Sequence, residues 1–190
     1  MSNPRIIGGT ARGVRLAMVP GDVTRPITDR VKEALFNILG PDIIGSNFYD
    51  LFGGTGSVGI EALSRGAEFL RISDNNRGAY ETIKKNLKTT RFEDKAQVLF
   101  GDVFAHLRQP ADRAFEYIFI APPQYKGLWQ QTIQSIDART DWITEDGWVI
   151  VQIDPLEYEK LELKHLKEFD QRRYGSTLLI FYELYTQDEV

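Results

Sequence analysis

Apolar residues along this chain switch between two periods, and the switches mark its elements. Val31, Ala34, Leu35, Ile38 and Leu39 recur at helical spacing and predict one buried helix face, capped by Thr28 or Asp29 and stopped by Gly40-Pro41. Phe48 to Leu51 reads as a short strand, and Gly56 to Arg65 as a helix closed by Gly66. Phe69 to Ile72 is a second strand, and the helix from about Arg77 to Lys88 presents Tyr80, Ile83 and Leu87 on one side. Ala96 to Phe100, Tyr117 to Ile120 and Trp148 to Ile153 read as three further strands, with Leu128 to Ile136 helical. Strands alternating with helices imply a parallel sheet covered on both faces, an α/β fold. The two ends depart from this pattern. Residues Arg5 to Val19 read as short strands or a hairpin, while Phe169 to Tyr174 and Thr177 to Leu184 flank Gly175-Ser176 as an antiparallel hairpin. Without repeats, linkers or low-complexity stretches, residues 1–190 are expected to form one domain.

Charge changes this picture through its distribution. The net charge is −4, which by itself argues mildly against nucleic acid. Yet Arg5, Arg12, Arg15, Arg25, Arg30 and Lys32 stand against only Asp22 and Asp29 in the N-terminal stretch. Composition leaves two readings of these arginines open, a solvated surface or a basic arm for phosphates. The absence of cysteine excludes a disulfide framework and thiolate metal ligands. His106 and His165 lack ligand-like spacing, so no metal site is expected. Neither a leader-like start nor an apolar run of spanning length is evident, so a soluble cytoplasmic protein is expected.

The candidate chemistry sits at strand ends. Asp50-Leu51-Phe52-Gly53-Gly54-Thr55-Gly56-Ser57-Val58-Gly59 joins the first core strand to a helix, and Gly54, Gly56 and Gly59 match the spacing of dinucleotide-binding loops. Glycine there lets the backbone turn sharply and a ligand approach closely. That match alone is weak, since such a turn can be glycine-rich for packing. Asp50, just before the glycines, would attract a cationic amino-acid ligand and repel a pyrophosphate. Asp74, after the second strand, can accept from two ribose hydroxyls, and Asp102, after the third, can face an adenine amino group. Three acids at successive strand ends favour S-adenosylmethionine over a nicotinamide cofactor.

Longer blocks then narrow the reading. Arg5-Ile6-Ile7-Gly8-Gly9, the run Arg25-Pro26-Ile27-Thr28-Asp29-Arg30-Val31-Lys32-Glu33-Ala34-Leu35-Phe36, the glycine loop and Glu61-Ala62-Leu63-Ser64-Arg65-Gly66-Ala67 together resemble the RsmD-type family, from about Arg5 to Glu183. That family methylates the N2 amino group of a guanine in bacterial 16S ribosomal RNA. The resemblance implies a Rossmann-like, class I S-adenosylmethionine-dependent methyltransferase fold, with a mostly parallel seven-stranded sheet and an antiparallel C-terminal hairpin. Residues 1–40 would be an RNA-facing extension and helix, and 41–190 the cofactor-binding core. The cofactor site would comprise Asp50, Phe52, Gly53, Gly54, Thr55, Gly56, Gly59, Asp74, Asn75, Asp102, Val103 and Ala121, and the RNA contacts Arg5, Arg12, Arg15, Arg25 and Arg30. The implied partner is 16S ribosomal RNA within a partly assembled small subunit.

One departure stands out. The family's Asp-Pro-Pro-Tyr after the fourth strand is here Ala121-Pro122-Pro123-Gln124-Tyr125. The backbone carbonyls around Pro122 and Pro123 remain, the carboxylate is gone, and the aromatic residue moves one place along. A substitute acceptor for the target amine could be Asp154, which follows the fifth strand, or Gln124. Tyr125 is read as the residue that stacks on the target base. Two other classes stay open: a catalytically silent RNA-binding protein that keeps the pocket, and, against Asp50, a nicotinamide oxidoreductase. Trp129, Trp142 and Trp148 read as packing residues.

Overall fold

Thr28 opens the first helix, α1 (Asp29–Leu39), by accepting the Val31 amide at 3.3 Å, and Gly40 ends it at φ 59°. These are the cap and stop that the sequence predicts. The computed structural model describes residues 2–21 and 26–186. Arg25, one of the expected RNA contacts, lies outside the described residues, and so does the start of the block it belongs to.

The chain forms two compact units, residues 1–102 and 103–190. The N-terminal extension belongs to the first unit. There, β1 (Asn47–Asp50), β2 (Phe69–Asp74) and β3 (Ala96–Phe100) lie parallel in the order β3-β2-β1, with Phe48 opposite Leu70 and Leu70 opposite Ala96. The connections are α2 (Ser57–Ser64) and α3 (Arg77–Thr90), as a parallel pair requires. Helix α2 is buried along its whole length and lies tight on β2, where a Cβ on Gly59 would meet Leu70 Cδ1 at 2.7 Å. Among the described residues of the extension, an isolated antiparallel bridge joins Arg5 to Arg15, with backbone bonds from Ile6 to Val14 (2.9 Å) and from Leu16 to Pro4 (2.8 Å) on either side.

In the second unit α4 (Val103–Leu107) leads to β4 (Phe115–Ile120), α5 (Leu128–Ala138) and β5 (Ile143–Ile153). Strands β4 and β5 are parallel, Ile120 opposite Val151. The long antiparallel strands β6 (Leu166–Tyr174) and β7 (Thr177–Leu184) close this unit in the order β4-β5-β7-β6. Trp129 and Trp142 are buried, and Trp148 packs among Tyr117, Phe169 and Phe181. All three tryptophans are thus packing residues. Seven strands, mostly parallel and ending in an antiparallel pair, give the fold class expected from the sequence. No helix among the described residues is long and apolar enough to cross a membrane.

Candidate active site

The first unit carries most of the residues expected to hold the cofactor. Asp50 ends β1 almost fully buried, and its Oδ1 has no hydrogen-bond partner. Burial, then the nearby Asp74 charge, push its carboxyl up to about 7, against the backbone N–H groups of Phe52 and Gly59 that favour the charged form. A buried carboxylate oxygen left unpartnered fits a ligand that brings a cationic donor. Beyond it, Gly54 (φ 57°) and Gly56 (φ 84°) take the left-handed conformation, and the space where a Cβ on Gly54 would stand is open. Gly53 is required for a different reason, because a Cβ there would meet Ile72 Cγ1 at 2.5 Å. Phe52 and Thr55 are half-buried in the loop, and Thr55 Oγ1 accepts the Ser57 amide at 3.3 Å.

Asp74 organises what surrounds it. Its Oδ2 accepts the Gly54 amide at 3.0 Å and its Oδ1 the Asn76 amide at 2.8 Å, so one carboxylate sets both the glycine loop and the start of α3. Gly101 donates its amide to the Asp74 carbonyl at 3.1 Å, which brings the end of β3 beside the end of β2. Asn75 and Asp102 are exposed at these two ends. Asp50, Asp74 and Asp102 thus stand at the carboxyl ends of three adjacent parallel strands. The orphaned Asp50 oxygen and the open glycine turn fit the methionine end of S-adenosylmethionine, and the acids of β2 and β3 fit its ribose and adenine.

Residues outside the expected set hold this half together. Glu61 accepts the amides of Ile7 (3.0 Å) and Gly8 (2.8 Å) and Nε of Arg65 (3.0 Å), and pairs with Lys32. Lys32 Nζ also donates to the Arg5 carbonyl at 2.5 Å and the Ser57 hydroxyl at 2.8 Å. Buried Asn86 accepts the Ala17 amide at 2.7 Å and donates to the Thr55 carbonyl at 2.8 Å, joining extension to glycine loop. One sequence signal pointed at Glu61, an acid inside the otherwise apolar run Val58–Leu63. Of the expected RNA contacts, Arg12, Arg15 and Arg30 are exposed, whereas Arg5, also exposed, pairs with Asp29 at 2.7 Å.

The second unit carries the motif of altered sequence. Val103 opens α4 buried, and half-buried Ala121 and Pro122 follow β4. Pro123 and Gln124 are exposed. Pro122 and Pro123 have no N–H to donate and cannot continue a strand, so the chain leaves the sheet with its carbonyls available. Tyr125 is 63% exposed and adopts φ 58°, a left-handed conformation that costs a non-glycine residue about 1–2 kcal/mol. Its amide donates to Glu157 Oε1 at 2.7 Å. Asp154, at the end of β5, accepts the Leu156 amide at 2.9 Å and caps the short turn Pro155–Glu157, and Glu157 returns a bond to the Asp154 amide at 3.4 Å. A hydrogen bond with Asp154 is also the main cause that raises the Tyr125 phenol above its usual range. Asp154 therefore lies beside the motif, with its Oδ1 accepting the Leu156 amide.

The fold is that of the Rossmann-like methyltransferases, and the acids at its strand ends are those expected of an S-adenosylmethionine-dependent member. The chain belongs to the family described as "Conserved hypothetical protein 95", matched over residues 4–183, the RsmD-type family that its motifs resemble. It is 40% identical over 152 residues to the "Putative rRNA methyltransferase YlbH" of Bacillus subtilis, covering 79% of this chain and 82% of that protein. To the "Ribosomal RNA small subunit methyltransferase D" of Escherichia coli it is 34% identical over 148 residues, 78% of this chain and 73% of the relative. A solved structure from Escherichia coli, "Putative methyltransferase yhhF", superposes with a TM-score of 0.86 at 29% identity, covering 98% of this chain and all of the other.

Proposed function

We propose that this chain methylates the N2 amino group of a guanine in small-subunit ribosomal RNA. The observation that carries the reading is the coexistence of the buried, unpartnered Asp50 oxygen with an exposed, fixed aromatic residue two places after a Pro-Pro pair. The cofactor, when bound, supplies an electrophilic methyl group on a sulfonium. The chain's own residues do the rest. Asp50 neutralises the ammonium of the methionine end, while Asp74 and Asp102 hold the sugar and base. Tyr125 stacks on a guanine drawn out of its helix. The carbonyls of Ala121 and Pro122 accept hydrogen bonds from the amine and turn its lone pair out of conjugation. Gln124, exposed within the motif itself, is the side-chain acceptor in place of the missing acid, since Asp154 Oδ1 accepts the Leu156 amide and caps its own turn. The arginines of the extension meet the phosphate backbone in the cytoplasm, on a partly assembled subunit.

Ala121 supports a second reading, a protein that keeps the pocket and binds ribosomal RNA without turnover. Nucleoside mapping of small-subunit RNA from cells with and without this gene separates the two. One guanine should lose an N2-methyl group in its absence; an unchanged modification pattern would leave only the binding role.

A further inference from the structure

Tyr125 stands one place further from the Pro-Pro pair than the family motif has its aromatic, and the turn after β5 holds it there. Tyr125, at φ 58°, has its amide held by Glu157 at 2.7 Å. The Asp154 carboxylate also acts on its phenol, raising the pKa above the usual range. The two acids belong to one turn and fix each other, Asp154 capping the Leu156 amide and Glu157 accepting the Asp154 amide. The backbone of one exposed residue is therefore tied to a turn 32 residues away in sequence. An exposed tyrosine in an unfavourable backbone region would otherwise relax, because nothing apolar covers it. Held in this way, it keeps one orientation without being buried, which leaves a ring face available to a partner.

We infer that the Asp154–Glu157 turn is a positioning device for base recognition, with Glu157 fixing the backbone of Tyr125 and Asp154 fixing the turn that carries Glu157. This rests on the reading of Tyr125 as the residue that stacks on the target base. Neither acid touches the reacting atoms; both act through the tyrosine. The turn thereby replaces by preorganisation part of what the altered motif gave up when it lost its acid. Restricting the ring before the base arrives lowers the entropy lost on stacking, so its effect falls on capture and alignment of the base.

A double-mutant cycle on the full chain tests it, with small ribosomal subunits and labelled cofactor as probes. Glu157→Ala should slow methyl transfer at limiting RNA about tenfold, the size of effect that loss of one stacked base produces, and cofactor affinity should not change. Glu157→Gln keeps an acceptor oxygen and should restore most of the rate. In a Tyr125→Ala background, Glu157→Ala should cost nothing more, because what it positions is gone. Thermal unfolding of each variant checks for a loss of fold, and additive losses in the cycle would show that the turn acts only on stability and overturn the inference. If Tyr125→Ala alone proves as active as wild type, the stacking role falls and the bracket with it. If Tyr125→Ala is slow but Glu157→Ala is not, the bracket alone falls.

Discussion

Lys32 and Glu61 meet as a buried ion pair, Nζ to Oε2 at 3.3 Å, with side chains 1% and 0% exposed. Burial lowers the Lys32 pKa and the Glu61 charge opposes that shift. The pair sits where three family blocks cross, since Lys32 lies in α1, Glu61 in α2, and both bond the backbone of residues 5–8. The N-terminal extension is thus anchored by charge in the first unit. Glu61→Ala should destabilise the protein by about 3–5 kcal/mol, because it strands a buried ammonium and two amides. Replacing both partners, as in Lys32→Met with Glu61→Leu, should recover much of that loss. Urea unfolding measures both, and a loss under about 1 kcal/mol for Glu61→Ala would mean that water reaches the cluster.

Asp50 should make cofactor affinity depend on pH. Its folded carboxyl titrates near 7, above the ordinary 3.8, so below that point it is neutral and attracts an ammonium weakly. Affinity for the demethylated cofactor should therefore rise as pH increases from about 6 to 7.5, and Asp50→Asn should flatten the rise. The same shift has the opposite sign for the ligand-free fold. A raised carboxyl pKa means the folded state holds its proton where the unfolded chain has lost it, so this group's contribution to stability declines from about pH 4 through about 7. Calorimetric titration at several pH values reads the first effect; a pH-independent affinity for wild type would assign the ammonium to another partner.

Arg12 and Arg15 should carry the salt dependence of RNA binding. They are exposed, while Arg5 is paired with Asp29. Replacing Arg12 and Arg15 by Ala should make log K against log salt shallower by roughly one and a half to two units, with a smaller further change for Arg5→Ala. Cofactor affinity should stay constant. Filter binding at several salt concentrations decides, and an unchanged slope would return these arginines to an ordinary solvated surface.

Much of this was legible in the sequence, for physical reasons. Apolar runs such as Tyr117–Ile120 and Trp148–Ile153 can only be buried strands, and Thr28 and Gly40 announce the ends of α1. The first part of β5 was not legible, because Thr144, Glu145 and Asp146 are not strand-like and the last two are exposed. Helix α4 is five residues long, too short to show a period. At the site, the strand-end acids were readable because topology places them. The bond from Tyr125 to Glu157 was not, because the turn after β5 meets Tyr125 only through the tertiary fold. Asn86 was hidden similarly, a polar residue beside apolar Ile83 and Leu87 whose partners, Ala17 and Thr55, are remote in sequence.

Methyl transfer to a defined guanine is the central claim, and the purified chain can be asked directly. Wild-type protein, labelled S-adenosylmethionine and small ribosomal subunits lacking this modification, at successive stages of assembly, should yield N2-methylguanosine at one position on nuclease digestion and mass spectrometry. Asp50→Ala should abolish the label through lost cofactor binding, and Gln124→Ala should reduce it about 10²-fold or more, the usual effect of removing one well-placed hydrogen-bonding group from a transition state. Label on another nucleoside, or none on any assembly stage while the chain still binds cofactor, would contradict it.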